Sequence, residues 1–266
     1  MLMKNKLKEK LKNGQVCIGN MFPYDSTGLI ELIGTCDVDF VTFDSEHGPL
    51  DFSQIEDMTR TCELVGVTPL CRVSSSRPEI ILRTMDAGVM GIVCPHVKTK
   101  EIAEQVVKYV KYPPSGNRGL AMTARAPGYS GMIVEEYIKK ANQETMVIIQ
   151  IEDSEGVENL ESILSVKGID AVFLGRADLT LSMGFEGNVK APEVQKAIDK
   201  VVSLTKKNNL QLMVATDEIE GIYWINRGAN LLSMHIVPFI RRKLMEATKV
   251  VHTEGEKLSK KSILII

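Results

Sequence analysis

Five stretches of this 266-residue sequence set acidic, basic, amide or imidazole side chains beside apolar runs. FDSEHG carries Asp44, Glu46 and His47; LCRV carries Arg72; IIQIE carries Gln150 and Glu152; FLGRAD carries Arg176 and Asp178; and TMDAG places Asp86 shortly before the next apolar run. Glu152 and Asp178 offer the most distinctive chemistry. If the runs that carry them are neighbouring strands, about 4.8 Å apart, their carboxylates converge. Two carboxylates without a basic partner repel each other, and a hard divalent cation relieves the repulsion. Mg2+ commonly takes one or two carboxylates and fills its other positions with water or substrate oxygens. Such an open site can take a 2-oxo acid through a carboxylate oxygen and the keto oxygen, acting as a Lewis acid on an enolate.

Each residue also has a plainer use. A strand-end Glu or Asp, Asp178 included, serves as a helix N-cap or a loop ion pair. A lone histidine such as His47 serves as a structural hydrogen-bonder, and Arg72 as the partner of Asp44 or Glu46. The GNRG loop (116–119) fits a phosphate cradle and an ordinary turn equally well. His96 and His235 also stand at the ends of apolar runs, and nothing in the sequence gives them a role. The chemical reading draws its weight from the whole set falling at equivalent positions.

Those positions follow from the elements. Eight apolar runs, at 16–20, 39–44, 68–73, 91–97, 146–152, 171–175, 210–216 and 231–237, are near-continuous rather than alternating. Strands buried on both faces of a parallel sheet look like this. The stretches between them read as helices. Ile102, Val106, Val107 and Val110 share one face behind Thr99 as N-cap, and Pro192 opens a helix backed by Val194, Ile198, Val201 and Val202. Gly66, Gly88, Gly168 and Gly228 stand where helix C-caps belong. Eight strands alternating with helices give a barrel or an open doubly wound sheet. No G-x-G-x-x-G follows the first strand, which removes the main support for the open sheet. The chain length matches the roughly 250 residues of a TIM barrel.

The predicted architecture is therefore a single-domain (β/α)8 TIM barrel over residues 1–252, with catalytic groups at the C-terminal ends of its strands. Residues 112–145 are predicted as a long insertion with a polar helix over 135–143. Pro238–His252 is the expected last helix, and 253–266 the expected poorly ordered tail.

A hydrophobic fraction of 44% suffices for one large core, and a net charge of −2 argues against nucleic-acid binding. No apolar run approaches the ~18 residues of a membrane span. The lysine-rich start has no apolar core of a secretory signal, so a cytoplasmic protein is expected. The five cysteines (Cys17, Cys36, Cys62, Cys71, Cys94) show no C-x-x-C spacing and read as buried free thiols.

Taken together, FDSEHGPL (43–50), LRTMDAGVMGIVCPHV (82–97), KYPPSGNRGL (111–120), IIQIEDSEGVENLESILSVKGIDAVFLGRADLTLSMG (148–184) and APEVQKAI (191–198) give the chain a family likeness from about Gly14 to Thr248. It resembles the HpcH/HpaI family of class II, metal-dependent 2-oxo-acid aldolases. The resemblance implies that Glu152 and Asp178 bind a divalent metal, Mg2+ first, with Mn2+, Co2+ or Zn2+ as alternatives. It implies His47 as general base, Asp86 as its partner, and Arg72 as the group that steadies the oxyanion of pyruvate enolate. Gln150 and the backbone around Ala177 are implied pyruvate contacts. The implied reaction cleaves or forms a carbon–carbon bond of a 4-hydroxy-2-oxo acid, with pyruvate and an aldehyde as small-molecule partners. Alternatives are an acyl-CoA lyase or oxaloacetate decarboxylase on the same metal site, and a non-catalytic metabolite-binding homologue. The absence of a lysine from the sixth run and its GRAD loop disfavours Schiff-base chemistry. The resemblance further implies a homo-oligomer, a hexamer built as a trimer of dimers that exchange their last helix.

Three departures fall where the aldehyde half would lie. Arg176 replaces a proline common in relatives, and either recognises an extra carboxylate or phosphate of the substrate or points to solvent. The AMTARA loop (121–126) and the ending with Met234, His235 and Pro238 also differ from the family pattern.

Overall fold

All eight apolar runs become strands, and each lies parallel to the next because the chain between them returns as a helix. The structure, a computed structural model, describes residues 4–263, with side chains through residue 255. The strands are β1 (Cys17–Phe22), β2 (Phe40–Asp44), β3 (Thr68–Arg72), β4 (Gly91–Cys94), β5 (Met146–Ile151), β6 (Ala171–Leu174), β7 (Gln211–Thr216) and β8 (Leu231–His235). They pair in sequence order and β8 closes on β1, giving the expected (β/α)8 barrel.

The helices are α1 (Lys6–Lys12), α2 (Thr27–Gly34), α3 (Phe52–Val65), α4 (Pro78–Asp86), α5 (Lys100–Val110), α6 (Val134–Glu144), α7 (Ser154–Glu158), α8 (Leu160–Leu164), α9 (Arg176–Ser182), α10 (Pro192–Lys207), α11 (Glu220–Asn226) and α12 (Ile236–Ile263). The expected caps form. The Thr99 hydroxyl accepts from the Ile102 N–H, Pro192 opens α10, and Gly66 closes α3 in the left-handed region (φ 77°).

Two concentric layers make the core. Inside the barrel, Met21, Phe40, Leu70, Val93, Ile148, Phe173, Met213 and Leu231 fill the interior, as in a packed barrel rather than a pore. Leu7 and Leu11 of α1 join this layer, so the amino-terminal helix plugs one end. Asn5 caps α1 and, almost fully buried, donates to the Glu144 carbonyl at 2.8 Å. Outside the strands, a larger layer joins the barrel's outer face to the helices.

The 112–145 segment is an insertion ending in α6, with its own small core of Met90, Tyr112, Ala126, Tyr137 and Ala141. In its GNRG loop, Arg118 is buried, pairs with Asp86 at 2.6 Å and lies over the Tyr112 ring at 4.7 Å. The loop is thus an anchored turn. Helical backbone of α12 continues to Ile263, across most of the segment expected to be poorly ordered. All five cysteines are free thiols; four are buried, and Cys36, at the end of α2, is exposed. Among the described residues no helix is long and apolar enough to cross a membrane.

Candidate active site

Parallel register sets Asp44 of β2 directly beside Arg72 of β3. The two side chains form a buried fork, Arg72 Nε to Asp44 Oδ1 at 2.9 Å and Nη2 to Oδ2 at 2.5 Å. Burial alone would push the Asp44 carboxyl up, but the Arg72 hydrogen bonds and charge outweigh it and hold the pKa below the usual range. The Glu46 and His47 N–H groups also donate to Asp44 Oδ1, at 3.2 and 3.3 Å, so Asp44 shapes the loop that follows β2. That loop turns Glu46 inward, with Oε2 3.3 Å from Arg72 Nε, and leaves His47 at the rim with a mostly exposed ring. Arg72 Nη1 makes no hydrogen bond among the described residues.

Glu152 directly follows β5 and is only 2% exposed. Its Oε1 accepts the His96 N–H at 2.9 Å, and its Oε2 accepts from Gln150 Nε2. Burial pushes its pKa up, against the hydrogen bonds and the His96 charge that pull it down. Glu46 is also raised, chiefly by burial. Gln150 Oε1 is buried without a partner. The buried Glu152 carboxylate and the largely buried Glu46 carboxylate, both with their pKa pushed up by burial, beside an unpartnered amide oxygen, are a donor set that suits a divalent cation. Among the described residues, Glu46, His96 and Glu152 form the cluster in which one ligand atom from each falls within 4.8 Å of the others.

Asp178 stands in the first turn of α9, after β6, which is β5's neighbour. It lines the same mouth but does not join that cluster, because it begins a helix that leads away from the strand end. Ala177 lies beside it, and the N–H groups of this first turn have no carbonyl behind them in the helix. Arg176 turns inward rather than to solvent. Its Nη2 donates to the Ala215 carbonyl at 2.8 Å and to Glu220 at 2.9 Å, and its guanidinium lies over the Trp224 ring at 4.9 Å. Asp86 does not meet His47. Helix α4 runs back from the mouth, so its last residue lies near the start of β4, where Arg118 engages it.

Several of these groups line a cavity of about 820 Å3 at the C-terminal mouth of the barrel. His47, Arg72, Gln150, Ala177 and Asp178 line it, and Arg176, Trp224 and Arg227 extend it between α9, α10 and α11. His235, at the end of β8, also lines it. From the sequence alone, His96 and Gly175 have no role, and Glu46 only that of a partner for Arg72. Their signal was positional: each lies within two residues of the end of a strand, and Gly175 is packed against Glu152. A methyl at Gly175 would sit 2.6 Å from Glu152 Cβ, 2.7 Å from its Oε2 and 3.1 Å from Gln150 Nε2. Gly175→Ala is therefore expected to displace the Glu152 carboxylate. Turnover should drop about 100-fold, the scale of an ångström's misplacement, while the far-ultraviolet circular dichroism spectrum stays unchanged. A fully active Gly175→Ala enzyme would show that Glu152's position does not matter.

The profile of the family described as HpcH/HpaI aldolase/citrate lyase matches residues 20–232. The chain is 34% identical over 197 residues, 74% of this chain and 76% of the other, to 5-keto-4-deoxy-D-glucarate aldolase of Escherichia coli O139:H28 (strain E24377A / ETEC). In structure it resembles an HpcH/HpaI aldolase/citrate lyase family protein from Burkholderia cenocepacia J2315, with TM-score 0.89, 26% identity, and 94% of this chain and 100% of that one covered. It also resembles citrate synthase SbnG, with TM-score 0.86, 26% identity, and 94% and 98% covered. A carbon–carbon lyase of the aldolase type, the chain belongs to the HpcH/HpaI aldolase/citrate lyase family.

Proposed function

We propose that the protein cleaves, or in reverse forms, the C3–C4 bond of a 4-hydroxy-2-oxo acid, yielding pyruvate and an aldehyde. The observation that carries this reading is the convergence of Arg72, Gln150, Glu152 and His47 on one strand-end mouth. Glu152 and Asp178, with Glu46 close by, would hold a divalent cation. When bound, such a cation supplies Lewis acidity to the substrate's keto oxygen.

The chain's own groups do the rest. Gln150 and the Ala177 backbone orient the 2-oxo acid end. His47 at the rim takes the proton of the C4 hydroxyl, the C4 oxygen becomes the aldehyde carbonyl, and the C3–C4 bonding pair moves toward the keto oxygen. Arg72, locked in place by Asp44, steadies the charge that develops there until C3 is protonated. Asp86 takes no part in this relay within one chain, because Arg118 holds it.

Arg176 extends the reading to specificity. Its inward position suits a second acidic group on the substrate, and the substrate named for the Escherichia coli relative is a dicarboxylic acid. Arg176→Ala is expected to raise KM for a dicarboxylic substrate about tenfold or more, the scale of one charge-assisted hydrogen bond. KM for a monocarboxylic one should change little. KM values unchanged from wild type in Arg176→Ala on both substrates would reduce Arg176 to a prop for Glu220 and Trp224.

The reading is tested by incubating the protein with a panel of 4-hydroxy-2-oxo acids and Mg2+ or Mn2+, coupling released pyruvate to lactate dehydrogenase. At least one member should yield pyruvate, and chelator should abolish the yield. Oxaloacetate decarboxylation with no aldol cleavage would replace the reading with the decarboxylase alternative.

A further inference from the structure

His96 has no part in the chemistry above, yet the site is built around it. It stands two residues past β4 in the left-handed region (φ 54°), held there by its N–H bond to Glu152 Oε1 at 2.9 Å. A non-glycine residue keeps such a conformation where its surroundings over-determine it, and these cases cluster at functional sites. Its Nδ1 lies 3.1 Å from Asp153 Oδ2 and 3.4 Å from Glu152 Oε1, and Asp153 Oδ1 lies 3.1 Å from Lys98 Nζ. Its other nitrogen, Nε2, lies 3.5 Å from Glu46 Oε1. Beside the cluster, Gln150 is 1% exposed, its amide nitrogen spent on Glu152 and its Oε1 without a partner.

Metal-bound histidines usually give their second ring N–H to a carboxylate, which fixes the tautomer and the ring plane. Asp153 is placed to do this through Nδ1, which leaves the Nε2 lone pair toward Glu46. Ligand atoms held at about 2.1 Å from one cation sit roughly 3 Å apart in octahedral geometry, so the cluster, whose ligand atoms lie within 4.8 Å of one another, must draw together around a bound ion.

We propose that His96 Nε2 joins Glu152, Asp178 and Glu46 as a nitrogen ligand of the site's cation, and that it biases the site from Mg2+ toward Co2+ or Zn2+. The proposal rests on the reading that the barrel mouth binds a divalent cation. The bias follows from ligand chemistry: Mg2+ favours carboxylate, carbonyl and water oxygens, whereas imidazole suits the later transition ions. The competing account makes His96 a counter-charge for Glu46 and Glu152 that moves aside when a cation arrives.

The 266-residue chain, stripped with chelator and loaded with one equivalent of Mn2+, is examined by pulsed electron paramagnetic resonance for 14N modulation. Wild type should show a directly bound imidazole nitrogen, and His96→Asn should lose it. Asparagine suits this test because it tolerates left-handed backbone. Calorimetric titration should show Co2+ affinity falling about 10- to 100-fold in His96→Asn, with Mg2+ affinity almost unchanged. Mn2+ bound to wild type without nitrogen coupling overturns this inference and leaves the aldolase reading standing. Coupling that survives in His96→Asn also overturns it, since the nitrogen would then belong to another histidine. Failure of wild type to bind any of these cations overturns both.

Discussion

Arg72→Lys is expected to lower pyruvate formation about a thousandfold, the upper range for removing one donor to a developing oxyanion. Lysine keeps the charge but not the planar fork, and here the fork does two things at once. Its Nε and Nη2 hold Asp44, while its remaining edge faces the cavity. Arg72→Ala should lose activity to a similar extent and also about 3–5 kcal/mol of stability, because it strands the buried Asp44 carboxylate. Asp44→Ala combined with Arg72→Ala separates the two roles. Urea melts should show much of the stability restored, and assays should show none of the activity. An active, folded Arg72→Lys enzyme would remove Arg72 from the chemistry and leave it a structural partner of Asp44.

Glu152→Gln should move stability and activity in opposite directions. Burial raises the Glu152 pKa, so the folded, metal-free protein disfavours the charged carboxylate. The sign follows from linkage. A carboxyl whose folded pKa exceeds its unfolded value binds more protons in the folded state between the two, so stability falls as pH rises through that window. Above the window the amide variant, free of that charge, should melt at a higher temperature than the metal-free wild type. Divalent cation should then raise the melting temperature of wild type and leave the variant nearly unmoved. Turnover should fall about 10³-fold or more, on the scale of losing an electrostatic stabiliser at the reacting centre. Scanning calorimetry at neutral and mildly acid pH, with and without Mn2+, reads all of these. A variant that melts lower than metal-free wild type and still responds to Mn2+ would contradict the account of Glu152.

The barrel was legible because parallel strands buried on both faces leave unbroken apolar runs such as MVIIQI, and all eight runs became strands. Strand-end chemistry was legible for the same reason. Once the strands are ordered, Asp44, Arg72, Gln150 and Glu152 must rise at one mouth. What escaped depends on paths between strands. His96 enters the site through a left-handed backbone that no period in the sequence encodes. Glu46 turns inward because Asp44 captures two N–H groups of its own loop. Helix α1, lysine-rich and only seven residues long, plugs the barrel with just Leu7 and Leu11. Asp86 was expected beside His47, but a helix that follows a strand carries its last residue away from the mouth. The Arg118–Asp86 pair is a long-range outcome of that return.

The central claim is that this mouth stabilises pyruvate enolate, and it can be tested without knowing the aldehyde. Pyruvate in deuterium oxide, with metal-loaded protein, should lose its methyl proton resonance far faster than the buffer control. Arg72→Lys and Glu152→Gln should bring that rate close to the control. Wild-type protein with bound cation that leaves the methyl signal at the buffer rate would contradict the account.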